Sequence, residues 1–191
     1  MNTVQEFTWS DRYLLGHSAM DDTHREFVMC VDALLTASDA GIPEALEAFI
    51  RHAEAHFKQE NDWLAAPDFP GGGGCHIEEH DKVIRSAYEV REHIAVNNAP
   101  DVARAYARAL VDWFPGHADY MDSALAAWLV KRTHNGRPLV FRRKEAALAD
   151  TDRRVAEGKP VAPSFLLACV LWQDVRDGWN ARLAQGEHAF P

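Results

Sequence analysis

Four long stretches with helical periodicity, each carrying a histidine or a carboxylate inside its apolar stripe, constrain this chain more than any other feature. The plainest is Cys75-His76-Ile77-Glu78-Glu79-His80. Residues four apart lie on one helical face, one turn from each other, so His76 and His80 can both reach a single metal ion. Alone, such a pair is more often a surface or packing feature. The other three stretches change that balance.

The first helix is expected over roughly 20–38, with Met20, His24, Phe27, Val28, Val31, Leu34 and Leu35 at helical spacing. His24 lies on that stripe, and Asp21 is placed to orient a neighbouring imidazole. The second is expected over 43–65, opened by Pro43 in its first turn. His56 and Glu60 fall four apart on its buried face. A buried glutamate needs a partner, because an unpaired charge there costs several kcal/mol. A surface pair of the two is the alternative. His52 lies one turn earlier and competes as a ligand, but only His56 keeps the His-x3-Glu step.

Residues 66–74 contain four consecutive glycines and read as a flexible connector. The lysine and hydroxyl residue of a phosphate-binding loop are missing after them. The third helix is expected over 75–97 and ends at Asn97-Asn98-Ala99-Pro100. The fourth is expected over 101–131, with Pro115 inside it bending the helix just before His117. Asp122 follows His117 by five residues, ~140° around a regular helix. That is wide for one ion but suits a bridge reaching a second.

An N-terminal arm, residues 1–16, precedes these helices. Phe7, Trp9, Tyr13, Leu14 and Leu15 make it too apolar to hang free, so it is expected to pack across the domain. A C-terminal extension, 132–191, follows. It contains a charged stretch over 142–157, a spacer at Lys159–Pro163, and an apolar-striped helix over 164–185 that docks on the bundle or pairs with a second copy in a homodimer. Cys169 in that helix reads as a small buried apolar residue.

The fold class that follows is all-α: an up-down four-helix bundle over 1–131 with the arm, plus a helical extension over 132–191. Its interior would hold five imidazoles (His24, His56, His76, His80, His117) and two carboxylates (Glu60, Asp122). That is too many donors for one ion and well matched to two. Nitrogen-rich ligation with bridging carboxylates suits iron.

At 191 residues, with 47% apolar and 26% charged, the chain has the composition of a globular protein. A net charge of −9 argues against a nucleic-acid partner. No stretch approaches the ~20 apolar residues of a membrane span, so no membrane partner is expected. Three cysteines without a CxxC argue against a disulfide framework and point to the cytoplasm.

The chain resembles the bacterial hemerythrins. The matching stretches are Met-Asp-Asp-Thr-His at 20–24, His-Phe-Lys-Gln-Glu at 56–60, His-Ile-Glu-Glu-His at 76–80, and Trp-Phe-Pro-Gly-His-Ala-Asp-Tyr-Met-Asp at 113–122. The resemblance covers roughly residues 7–131. It implies a non-haem di-iron centre that binds dioxygen reversibly for storage, delivery or sensing. Carried over by position, His76, His80 and His117 hold one iron. His24 and His56 hold the other, which keeps an open position, and Glu60 and Asp122 bridge the two beside an oxo or hydroxo group. The candidate dioxygen pocket is Phe27, Phe57, Trp113 and Tyr120, with Phe57 and Trp113 preferred.

There are departures from the family pattern. Asn61 stands where a second acid often follows the bridging glutamate, a position read as peripheral. Tyr120 stands where an aliphatic residue is common, and a phenol there would favour autoxidation or peroxide chemistry. Pro115-Gly116 before His117 is also unusual.

Ferritin-like oxidases need Glu-x-x-His on two helices, and no such pair is present. His76-Ile77-Glu78-Glu79-His80 also fits the His-x-x-Glu-His zinc protease signature with Glu79 as base, which leaves the remaining donors unexplained. A di-iron enzyme or redox sensor with peroxidase-like or nitric-oxide chemistry would share the same ligands.

Overall fold

The computed structural model describes residues 6–133. The extension expected over 132–191, its helix at 164–185, the dimer seam assigned to that helix, and Cys169 lie outside the described residues, save for 132 and 133.

A 3-10 turn at Asp11–Tyr13 precedes α1 (Ser18–Thr36), α2 (Ile42–Leu64), α3 (Gly74–Asn97) and α4 (Pro100–His117). A π-helical turn, Ala118–Asp122, joins α4 directly to α5 (Ser123–Thr133), and together they form the fourth rod of the bundle. α1 packs on α2, α2 on α3, α3 on α4, and α4 closes the ring against α1. The all-α four-helix architecture is the one the sequence pattern predicts. Among the described residues no helix is long and apolar enough to cross a membrane.

Local chemistry sets the helix ends. Pro43 occupies the first turn of α2, and Pro100 opens α4, where no intrahelical N–H is needed. Asn98 ends α3 in the left-handed region at φ 49°, returning its N–H to the Ile94 carbonyl. The start of α3 is pinned to the end of α2 at Gly73. A β-carbon there would come within 2.5 Å of Leu64 Cβ, so only glycine permits the approach.

The arm packs across the bundle as expected for Phe7 and Tyr13, which are buried, while Leu14 is exposed. Two aspartates of α1 hold it. Asp32 accepts from the Phe7 N–H at 2.8 Å, and Asp21 accepts from the Leu15 and Gly16 N–H groups at 2.7 and 3.1 Å. Asp21 therefore anchors the arm, where the sequence reading had it orienting an imidazole.

The core brackets the polar belt from both sides. Phe27, Phe49, Phe114, Leu34, Ile42, Leu46 and Leu110 fill one side with less than 2% exposure. Met20, Leu64, Leu125 and Ala126 close the other, backed by Trp63, Ile77 and Trp128. Each closing residue lies about one turn from a histidine or carboxylate on its own helix. The polar belt is thus a slice through an otherwise dry core.

Candidate metal centre

All seven sequence-predicted donors are buried: His24, His56, Glu60, His76, His80, His117 and Asp122. They come together in two groups. One is Glu60, His76, His80, His117 and Asp122; the other is His24, His56 and Glu60.

The two carboxylates face both groups. Glu60 Oε1 lies 3.1 Å from His56 Nε2 and 3.5 Å from His24 Nε2. Its Oε2 lies 3.3 Å from His80 Nε2 and 3.9 Å from His76 Nε2. Asp122 Oδ2 lies 3.3 Å from His24 Nε2, while Oδ1 lies 3.0 Å from His76 Nε2 and 3.3 Å from His117 Nε2. Each carboxylate gives one oxygen to the two-imidazole side and one to the three-imidazole side.

On the three-imidazole side, His117 Nε2 sits 3.2 Å from His76 Nε2 and 3.1 Å from His80 Nε2. Converging imidazole nitrogens at that distance need a proton or a cation among them. Several polar atoms in the belt are moreover buried with no hydrogen-bond partner: His24 Nε2, Glu60 Oε2 and both oxygens of Asp122. Some of these lie within ion-pair distance of one another, but their directions do not form hydrogen bonds. Burying such atoms unpaired is costly, and a bound cation removes that cost.

Electrostatics agree. Burial disfavours the Glu60 and Asp122 carboxylates, as does their mutual repulsion at Glu60, yet the surrounding imidazoles hold both well below the usual carboxylate range. Burial alone would discharge His24, but the Asp122 and Glu60 carboxylates beside it carry it up to about 10. His80 goes the other way, pushed down to about 4 by burial and by His117 and His76, against the pull of Glu60. A neutral imidazole keeps the lone pair that a metal needs.

Aromatic rings wall the belt. Phe57 stacks on His80 with centroids 4.1 Å apart and planes 3° off parallel, and Trp113 stacks on His117 at 4.1 Å. Phe114 meets His24 edge-on at 5.3 Å, and Phe27 meets His56 at 6.0 Å. Phe57 and Trp113, two of the residues expected around a dioxygen pocket, lie against His80 and His117. Phe114 also links the arm to the site by touching Phe7 and Tyr13.

Tyr120 is a correction. Its side chain is 55% exposed, so it does not line a pocket at the centre. The reason is the π turn, in which a full turn takes closer to five residues than to ~3.6. Three residues past His117 therefore point away from the site, while five residues past, at Asp122, the chain returns to it.

Neighbouring residues fall into place by their contacts. His52 is outside both donor groups; it faces Glu26 at 3.6 Å and is pushed down to about 4 by burial and by His56. Glu79 is held by Lys82 at 2.7 Å, which leaves the zinc protease reading without its base at the centre. Asn61 is not peripheral: its Oδ1 meets His80 Nδ1 at 2.8 Å.

Residues 15–129 match the family described as the Hemerythrin HHE cation binding domain. The chain belongs to the hemerythrin family. Within this family it is similar to the bacteriohemerythrin of Ralstonia nicotianae, with 39% identity over 129 residues, covering 68% of this chain and 93% of that protein. No solved structure matches the chain. For a hemerythrin-family bundle the donor set fits a non-haem di-iron centre: it is buried and nitrogen-rich, and its two carboxylates each face both imidazole groups.

Proposed function

We propose that this hemerythrin-family bundle binds dioxygen reversibly at a di-iron centre held by His24, His56, Glu60, His76, His80, His117 and Asp122. The observation that carries the proposal is the division of each carboxylate's two oxygens between the two imidazole groups. That division is what two bridging ligands between two ions require.

A pair of ferrous ions, when bound, would supply the two electrons that dioxygen binding needs. The chain's own residues supply the rest. His76, His80 and His117, with one oxygen from each carboxylate, would offer one ion five protein donors. His24 and His56 with the other two oxygens would offer the second ion four, which would leave the His24 and His56 side the more open to dioxygen. Phe27, Phe57 and Phe114 flank that side and keep water from it. The stacked Phe57 and Trp113 rings hold His80 and His117 in their rotamers, so the saturated side stays fixed.

This function would rest in residues 1–131; the family match spans residues 15–129. The free thiols of Cys30 and Cys75 suit a reducing cytoplasm.

The test is the visible spectrum of anaerobically reduced protein, before and after admitting dioxygen and again after removing it. A ligand-to-iron absorption that forms with dioxygen and fades when it is withdrawn supports reversible binding. Direct and permanent passage to the oxidised form would favour an enzyme or redox sensor at the same site.

A further inference from the structure

The five imidazoles differ at the nitrogen that faces away from the centre. His24, His56 and His117 each have a buried Nδ1 with no hydrogen-bond partner. His80 Nδ1 has one, the side-chain amide of Asn61, at 2.8 Å across the α2–α3 interface. Asn61 directly follows Glu60, so the residue that turns one carboxylate into the centre is succeeded by one that reaches around the back of the opposite imidazole.

The roles within this contact are fixed by the other end of the ring. His80 Nε2 points at Glu60 Oε2 and His117 Nε2, on the inner side. When that nitrogen offers its lone pair to a metal, Nδ1 must carry the hydrogen. It then donates to the Asn61 amide oxygen, the acceptor of that side chain. An outer acceptor fixes both the tautomer and the ring plane of a ligating histidine, and its charge sets how strongly the ring donates. A carboxylate in this place would draw the Nδ1 proton and make His80 a stronger donor. An amide does so only weakly.

Asn61 is also reachable. With His80, Phe57 and Tyr88 it lines an open groove of about 470 Å³ between α2 and α3. Its surroundings can therefore adjust to a new side chain without repacking the core.

We propose that Asn61 is a positioning residue for the centre: its amide oxygen presets His80 with Nε2 free for metal, and its neutrality keeps the three-imidazole side electron-poor. This rests on the di-iron reading of the site. A neutral partner leaves the ferrous pair harder to oxidise than a carboxylate partner would, which favours reversible binding over loss of electrons.

Two variants test it. Asn61→Leu removes the acceptor at similar size; Asn61→Asp keeps the acceptor and adds charge. Affinity of the metal-free protein for ferrous iron and for cobalt is measured by chelator competition, and the midpoint potential of the loaded protein by redox titration. The proposal expects Asn61→Leu to bind metal about 10- to 100-fold more weakly. It expects Asn61→Asp to retain wild-type affinity, with a lower potential and faster autoxidation. Wild-type affinity in a folded Asn61→Leu, or an unchanged potential in Asn61→Asp, overturns it. If Asn61→Leu does not fold, the potential of Asn61→Asp decides alone. Wild-type protein that takes up no iron pair would defeat the functional reading itself, whereas two irons in wild type with indistinguishable variants would defeat only the role of Asn61.

Discussion

His117 Nε2 lies 3.3 Å from Asp122 Oδ1, although a regular helix would set these residues ~140° apart. The π turn at Ala118–Asp122 closes the difference by giving the fourth rod one extra residue for that turn. It follows Pro115, which lacks the N–H of a regular helical residue. The turn also sends Tyr120 outward, so one local distortion both completes the donor set and clears a phenol from it.

Such a turn is locally unfavourable and is retained for the geometry it provides. Deleting Tyr120 should restore α-helical hydrogen bonding while keeping the register of α5. The metal-free deletion variant is expected to melt at or above the wild-type temperature by circular dichroism, with iron affinity at least tenfold weaker. A variant that binds two irons at wild-type affinity would show that the π turn is dispensable.

Substitutions at exposed or bypassed positions should leave the centre intact. Tyr120→Phe should keep the wild-type iron content and autoxidation rate, because the phenol is exposed and directed away from the site. His52→Gln should likewise keep two irons per chain. Faster or slower autoxidation in Tyr120→Phe would mean that the ring reaches the centre after all.

The two glycines that begin α3 make a paired test of packing. Gly73→Ala must push its new methyl against Leu64 Cβ and should destabilise the bundle by about 1–3 kcal/mol. Gly74→Ala meets nothing within 4 Å and sits in the first turn of α3, so it should be neutral or stabilise by about 0.5 kcal/mol. Denaturant melts of the two variants give both values.

Stability of the metal-free protein should depend on pH on both sides of neutrality. His52 and His80 are pushed down to about 4, so the native state resists protons that the unfolded chain accepts below about 6.5. Stability from this source is present above that pH and is lost as pH falls towards 4. His24 has the opposite sign. Raised to about 10, it contributes fully below about 6.5 and loses that contribution as pH rises through 10. Denaturation midpoints of the metal-free protein should therefore peak near neutral pH.

Much of this molecule is legible in its sequence. The helices and their order follow from apolar periodicity broken by Pro43, the glycine run and Pro100. The seven donors stand out because each interrupts an apolar stripe with a group that needs a partner. What escapes the pattern is anything that depends on departure from ideal geometry or on contacts between distant segments. The π turn is invisible to a method that assumes a fixed angle per residue, and Tyr120 was misplaced for that reason. Asn61 sits beside the donor stripe of α2 and acquires its meaning only when α3 brings His80 against it. Asp21 looks like a helper for His24 until the arm folds back and presents two N–H groups to it.

The most direct test of the central claim is the metal content of anaerobically reconstituted wild-type protein alongside Glu60→Gln and Asp122→Asn. Two irons per chain in the wild type, with both variants falling below two, is the predicted result, since each carboxylate faces both imidazole groups. A single metal ion in the wild type, zinc in preference to iron, or two irons undisturbed by either substitution would contradict a carboxylate-bridged pair.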